Sequence, residues 1–161
     1  MAAAESLLGR LAKLRNSKTL IIGIGSTLKG DDGLGPLLCE KLKGKTCAEV
    51  ISAGTVPENY IQQIVKNKPR NLVIVDAVQM QAPPGTIKIL KPAQLDSTVI
   101  STHTLSPRVF IDLIARQIEV DIYFIGVQPA QCVLGQSLST RAAAAVEQLT
   151  DIITEIFPPQ P

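Results

Sequence analysis

The sequence predicts an α/β protein in three layers, with a mainly parallel, twisted sheet of about five strands covered by helices on both faces. Continuous aliphatic runs at Leu20–Ile24 and Leu72–Val75 read as strands buried on both faces, the habit of a parallel sheet. Segments with apolar residues at helical spacing alternate with these runs, so right-handed crossovers can bring the strands side by side. The chain has 161 residues, 45% of them hydrophobic, and a mean hydropathy of +0.23. That suits a single domain spanning the whole chain, with one full core and little room for a second.

In chain order, Ala3–Arg15 sets Leu7, Leu8, Leu11 and Leu14 on one face of a short amphipathic helix, which is expected to pack on the domain. After the first strand, Pro36–Lys43 is expected to form a helix opened by Pro36 and stopped at Gly44. Val50–Ala53 suggests a second strand. The turn GTVPEN (Gly54–Asn59) precedes a helical stripe of Tyr60, Ile61, Ile64 and Val65. The run Leu72–Val75 ends on Asp76. Thr86–Leu90 follows a Pro-Pro-Gly turn and reads as an edge strand or hairpin partner. Ser97–Thr104 is a polar connection carrying the only histidine, and Ser106-Pro107 offers an N-cap and a first-turn proline to a helix expected to bury Phe110, Leu113 and Ile114. Val120–Val127 is the last strand. Ala145, Val146, Leu149, Ile152, Ile153 and Ile156 stripe the final helix, and FPPQP reads as a frayed tail.

Sixteen Lys and Arg against fourteen Asp and Glu give a formal +2, and the aromatics are two Tyr and three Phe. Both counts argue against an electrostatic or base-stacking partner such as nucleic acid. Cys39, Cys47 and Cys132 lack CxxC spacing, so neither a disulfide framework nor a thiolate zinc site is expected, and all read as small core residues. No apolar run approaches the roughly 20 residues of a membrane span, and the first residues lack the apolar centre of a signal peptide. The expected protein is cytoplasmic, without membrane insertion.

Chemistry is concentrated where strands end. LIIGIGSTLKGDDGLGPLLCE (Leu20–Glu40) stops an Ile-rich strand at a glycine-punctuated turn that ends in Asp31 and Asp32. Gly23, Gly25, Gly30, Gly33 and Gly35 are expected to permit sharp turns at positive φ and to leave room beside the acids. In parallel sheets ligands bind beyond the carboxyl ends of the strands, where Asp32, Asp76 and His103 could converge. Two carboxylates and an imidazole make a partial shell for a divalent metal such as nickel or zinc. Each residue also has a plain role open to it: Asp32 as a helix cap, Asp76 as a turn residue, His103 as a hydrogen-bonded loop residue. A nucleotide-binding module is an alternative, but Gly23-x-Gly25-x4-Gly30 is not GxGxxG, and paired acids would repel phosphate.

Five ordered blocks carry a family resemblance: GDDGLGPLLCE (Gly30–Glu40), SAGTVPEN (Ser52–Asn59), NLVIVDA (Asn71–Ala77), STHTLS (Ser101–Ser106) and GVQP (Gly126–Pro129). With them the chain resembles the hydrogenase maturation proteases, endopeptidases that trim the C-terminal extension of a [NiFe]-hydrogenase large-subunit precursor, especially the type serving formate-hydrogenlyase-like hydrogenases. The resemblance implies that Asp32, Asp76 and His103 are the catalytic, metal-contacting residues. It implies nickel carried by the precursor, with zinc or cadmium able to substitute in vitro. Many relatives have Gly-Asn where this chain has Gly25-Ser26. Thr55, Pro57, Glu58, Asn59 and Gln128 match family loops near the expected cleft and are read as substrate-positioning residues, beside ordinary turn and packing roles. No HExxH motif, Ser-His-Asp set or Cys-His set is present, so Asp31 is the nearest candidate for a separate general base. A non-catalytic nickel-checking chaperone for the same precursor is a further alternative.

Overall fold

The computed structural model describes residues 6–95 and 105–161. Strands β1 (Thr19–Ile24), β2 (Glu49–Gly54), β3 (Asn71–Ala77), β4 (Ile87–Leu90) and β5 (Asp121–Val127) form a five-stranded sheet in the order β2-β1-β3-β5-β4. The first four in that order run parallel, and β4 pairs antiparallel with β5 at the edge. The expected architecture is thus present, and the Thr86–Leu90 segment is the edge strand.

Helices α1 (Leu7–Ala12), α2 (Leu34–Leu42), α3 (Ile61–Asn67), α4 (Pro107–Ala115) and α5 (Thr140–Ile156) cover the two faces. Alternation along the strands sorts the core. Ile21, Val73, Val75, Ile125 and Val127 face Leu34, Leu38 and Leu42 of α2 together with Leu149 and Ile153 of α5. Leu20, Ile22, Leu72, Ile74 and Phe124 face Ile61 and Ile64 of α3 with Phe110 and Ile114 of α4. Because every residue of β1 is buried, its aliphatic run has no polar side to betray a period of two.

Several local expectations are corrected. Pro36 does not open its helix: a 3₁₀ helix at Gly30–Gly33 leads into α2, which begins at Leu34, and Pro36 sits within the first turn where its missing N–H is harmless. Leu113 stays 37% exposed and Ile111 is buried in its place, since the buried stripe of α4 runs through Pro107, Phe110, Ile111 and Ile114. The tail is not frayed from its first residue, because Phe157 is buried and its carbonyl accepts from Thr46 Oγ1 at 2.7 Å and Cys47 N at 3.1 Å. Of the cysteines only Cys39 is a core residue; Cys47 is exposed and Cys132 half-buried, and all three are free thiols.

Candidate active site

The site is built by the loop leaving β1. Gly25 has φ +140°, and a Cβ there would stand 1.8 Å from the carbonyl oxygen of Asp32, so only glycine lets the loop close on the 3₁₀ helix. Gly35 does a different job. Its φ is ordinary, but a Cβ would lie 2.5 Å from the Ile24 carbonyl oxygen and 3.0 Å from that of Val75, so its bareness lets α2 press against the ends of β1 and β3. Within the stretch only Gly25 and Gly30 have positive φ; Gly23, Gly33 and Gly35 serve close approach, which corrects the uniform reading of these glycines.

Asp32 is 3% exposed, and its Oδ2 accepts from the backbone N–H of Ser26 at 2.8 Å. It is not the cap of α2: the N-cap is Gly33, and no side chain caps that end. Ser26 thus supplies a main-chain donor to the acid, while its Oγ accepts from Leu28 N at 3.2 Å. Asp76 is 2% exposed within β3, in register with Gly126 of β5 near the carboxyl ends of both strands.

The two acids share a neighbour in Cys132. Burial, and then the negative charges of Asp32, Asp31 and Asp76, push its thiol up to about 11. Beside it a cavity of about 210 Å³ is lined by Asp32, Ala77, Gln79 and residues 129–132. Sequence reasoning missed Cys132 by assigning it to the core; its one signal was its place just after the Gly126–Pro129 block. His103 falls outside the described residues. Among the described residues no three His, Cys, Asp or Glu side chains stand close enough to hold an ion. Two buried carboxylates are hard oxygen donors fit for a divalent ion, and a third protein donor would have to come from elsewhere.

Asp31, fully buried, behaves differently. Its Oδ2 accepts from Ala130 N at 2.7 Å and Ser139 Oγ at 2.7 Å, and its Oδ1 accepts from Ser139 N at 2.6 Å. With both oxygens so engaged it is an anchor, and the structure gives no support to the idea that it is a separate base. Gln128 is likewise committed inside the protein: Oε1 accepts from Met80 N at 2.6 Å, and Nε2 donates to Gln79 Oε1 and to Pro129 O, holding the strand-end loops together.

Thr55 is exposed and lines an open cleft with Gly25, Ser26 and Tyr60. Pro57 is buried at the start of the 3₁₀ helix Pro57–Tyr60; Asn59 is exposed, and half-buried Glu58 keeps an Oε2 without a hydrogen-bond partner among the described residues. A larger groove of about 670 Å³ lies along β2 and α2, lined by Thr27, Pro36, Leu37, Val50, Ser52 and Leu138 among others. It shares Thr27, Pro36 and Ser52 with the Thr55 cleft, so the two are continuous.

Comparison with known proteins gives the same direction. The family model described as HycI, hydrogenase maturation protease, matches residues 36–156. The chain is 35% identical over 113 residues to the hydrogenase 3 maturation protease of Escherichia coli K12, covering 68% of this chain and 72% of that one. It resembles the crystal structure of a [NiFe] hydrogenase maturation protease, HycI, from Thermococcus kodakarensis KOD1, with a TM-score of 0.82, 32% identity, and 91% and 97% of the two chains covered. The solution structure of the endopeptidase HycI from Escherichia coli is similar at a TM-score of 0.79 and 31% identity, covering 86% and 90%. Matched by the family model over most of its length and by these relatives in both sequence and fold, the chain belongs to the hydrogenase maturation protease family.

Proposed function

We propose that this protein is an endopeptidase that removes the C-terminal extension of a [NiFe]-hydrogenase large-subunit precursor once nickel has been installed. The observation that carries the reading is the pair of buried acids, Asp32 beside a small cavity after β1 and Asp76 near the carboxyl end of the neighbouring β3, in a family of hydrogenase maturation proteases. In this reading the metal arrives with the substrate. Asp32 and Asp76, with His103 supplied by the 96–104 connection, contact the nickel of the precursor and place the scissile peptide at the cavity. Cadmium or zinc can take the same donors in vitro.

The protein's own part is positional. Ser26 N–H holds Asp32 in one orientation. Both carboxylates are buried and negatively charged when ionised, so a divalent cation arriving with the substrate would offset the cost of holding two charges there. A bound divalent ion supplies Lewis-acid polarisation of the carbonyl or acidification of water. The open groove along β2 and α2, continuous with the Thr55 cleft, gives room for an extended polypeptide. Among the described residues no helix is long and apolar enough to cross a membrane, and a cytoplasmic location is part of the proposal.

The test is direct: purified protein is incubated with nickel-loaded precursor and, separately, with metal-free precursor, and the subunit is weighed by mass spectrometry. Shortening of the loaded precursor alone is expected. Binding without shortening would make the protein a chaperone instead, and equal shortening of both precursors would remove nickel from the account.

A further inference from the structure

Asp31 is completely buried, yet it lines no cavity wall beside Asp32, and the donors to its carboxylate, Ala130 and Ser139, come from a segment 99 to 108 residues away in sequence. Ala130 N–H, Ser139 N–H and Ser139 O–H all donate to it. The main chain adds two parallel ties, Asp31 N–H to Gln131 O at 2.9 Å and Gly30 N–H to Gln136 O at 3.1 Å. Ser139 also caps α5, its Oγ accepting from Ala142 N at 3.2 Å, so the segment is pinned at one end by a helix and at the other by Asp31. Residues 129–132, at the Ala130 end of this segment, form the wall of the small cavity facing Asp32.

We infer that Asp31 is a positioning residue: its carboxylate sets the distance between Asp32 and the opposing 129–132 wall, and so the fit of the polypeptide held between them. The inference rests on the proteolytic reading for its kinetic consequence, while the clamp itself does not. A carboxylate is the side chain required because these three partners are all donors, two of them main-chain N–H groups that cannot reverse. Asparagine must turn its NH₂ toward at least one of these donors, so the nearly isosteric change breaks the clamp without opening a cavity. Asp31 touches no reacting atom in this arrangement, which separates it from Asp32 one residue on.

The experiment compares wild type with Asp31→Asn and Ser139→Ala in the full chain, by amide hydrogen exchange and by trimming kinetics on nickel-loaded precursor. Exchange at the amides of Asp31, Ala130 and Ser139 is expected to accelerate by about tenfold or more in Asp31→Asn while the amides of β3 stay as slow as in wild type. KM is expected to rise about tenfold with kcat within about threefold, and Ser139→Ala, which keeps the main-chain donors, is expected to show a smaller rise in KM. Unchanged exchange in Asp31→Asn, or a kcat loss at constant KM, overturns the inference. Should Asp31→Asn fail to fold, an unchanged KM in Ser139→Ala overturns it equally. If wild type trims nothing, the proteolytic reading fails while the exchange arm still decides the clamp.

Discussion

At the scale of single residues, adjacent acids in one loop are put to opposite uses by their donors. Asp32 accepts from Ser26 N and lines a cavity, whereas both oxygens of Asp31 are occupied by donors from the 130–139 segment. Nothing in Gly-Asp-Asp-Gly distinguishes them, because the partners of Asp31 lie 99 and 108 residues away. Asp32→Ala and Asp76→Ala are each expected to lower the rate of precursor trimming by about 100-fold or more, as loss of a charge-stabilising group at a reacting centre does. His103→Ala is expected to act the same way. Thermal unfolding should show Asp32→Ala still folded, its cost being about 1–3 kcal/mol for the Ser26 N–H left unpaired. The buried thiol of Cys39 gives a pH prediction. Burial pushes it up to about 11, the neutral form being favoured in the fold, so its contribution is full below the ordinary thiol range and is lost as pH rises toward 11. Urea midpoints measured from pH 8 to 11 should fall, and fall less steeply in Cys39→Ala.

At the scale of elements, the aliphatic runs were legible because strands buried on both faces need no alternation, and the helices because α5 and α4 show only one apolar stripe. What escaped was local. The 3₁₀ helix Gly30–Gly33 is set by the closure of Gly25 on Asp32, a tertiary approach that no propensity encodes. Likewise, Gly35 is a packing glycine whose reason, the carbonyl oxygens of Ile24 and Val75, becomes visible only once α2 lies across the sheet. Gly35→Ala should therefore destabilise by about 1–3 kcal/mol in urea unfolding, the cost of overpacking against backbone that cannot retreat. Leu149→Ala, which empties a fully buried position between α5 and the sheet, should cost about 2–5 kcal/mol in the same assay, with the denaturant slope unchanged.

At the scale of the whole molecule, parallel topology delivers the functional groups. Because β1 and β3 run side by side in the same direction, the loop carrying Asp32 and the strand end carrying Asp76 arrive at one edge, and the segment after β5 closes over them with Cys132. The parallel run of β1 and β3 was expected from their aliphatic runs, whereas the Asp31 anchor and the place of Cys132 were not, since both depend on how the 129–139 segment folds back. The central claim is that Asp32, Asp76 and His103 hold one metal together. The chain has a single histidine, so its imidazole signals in a nitrogen–proton correlation spectrum need no assignment by exclusion. Cadmium, diamagnetic and accepting of both oxygen and nitrogen donors, is titrated into wild type, Asp32→Ala and Asp76→Ala. The account predicts that the His103 ring nitrogen shifts saturably in wild type and that the shift is lost, or needs at least about tenfold more cadmium, in either variant. A ring that stays still in wild type, or that responds identically with both acids removed, would contradict it.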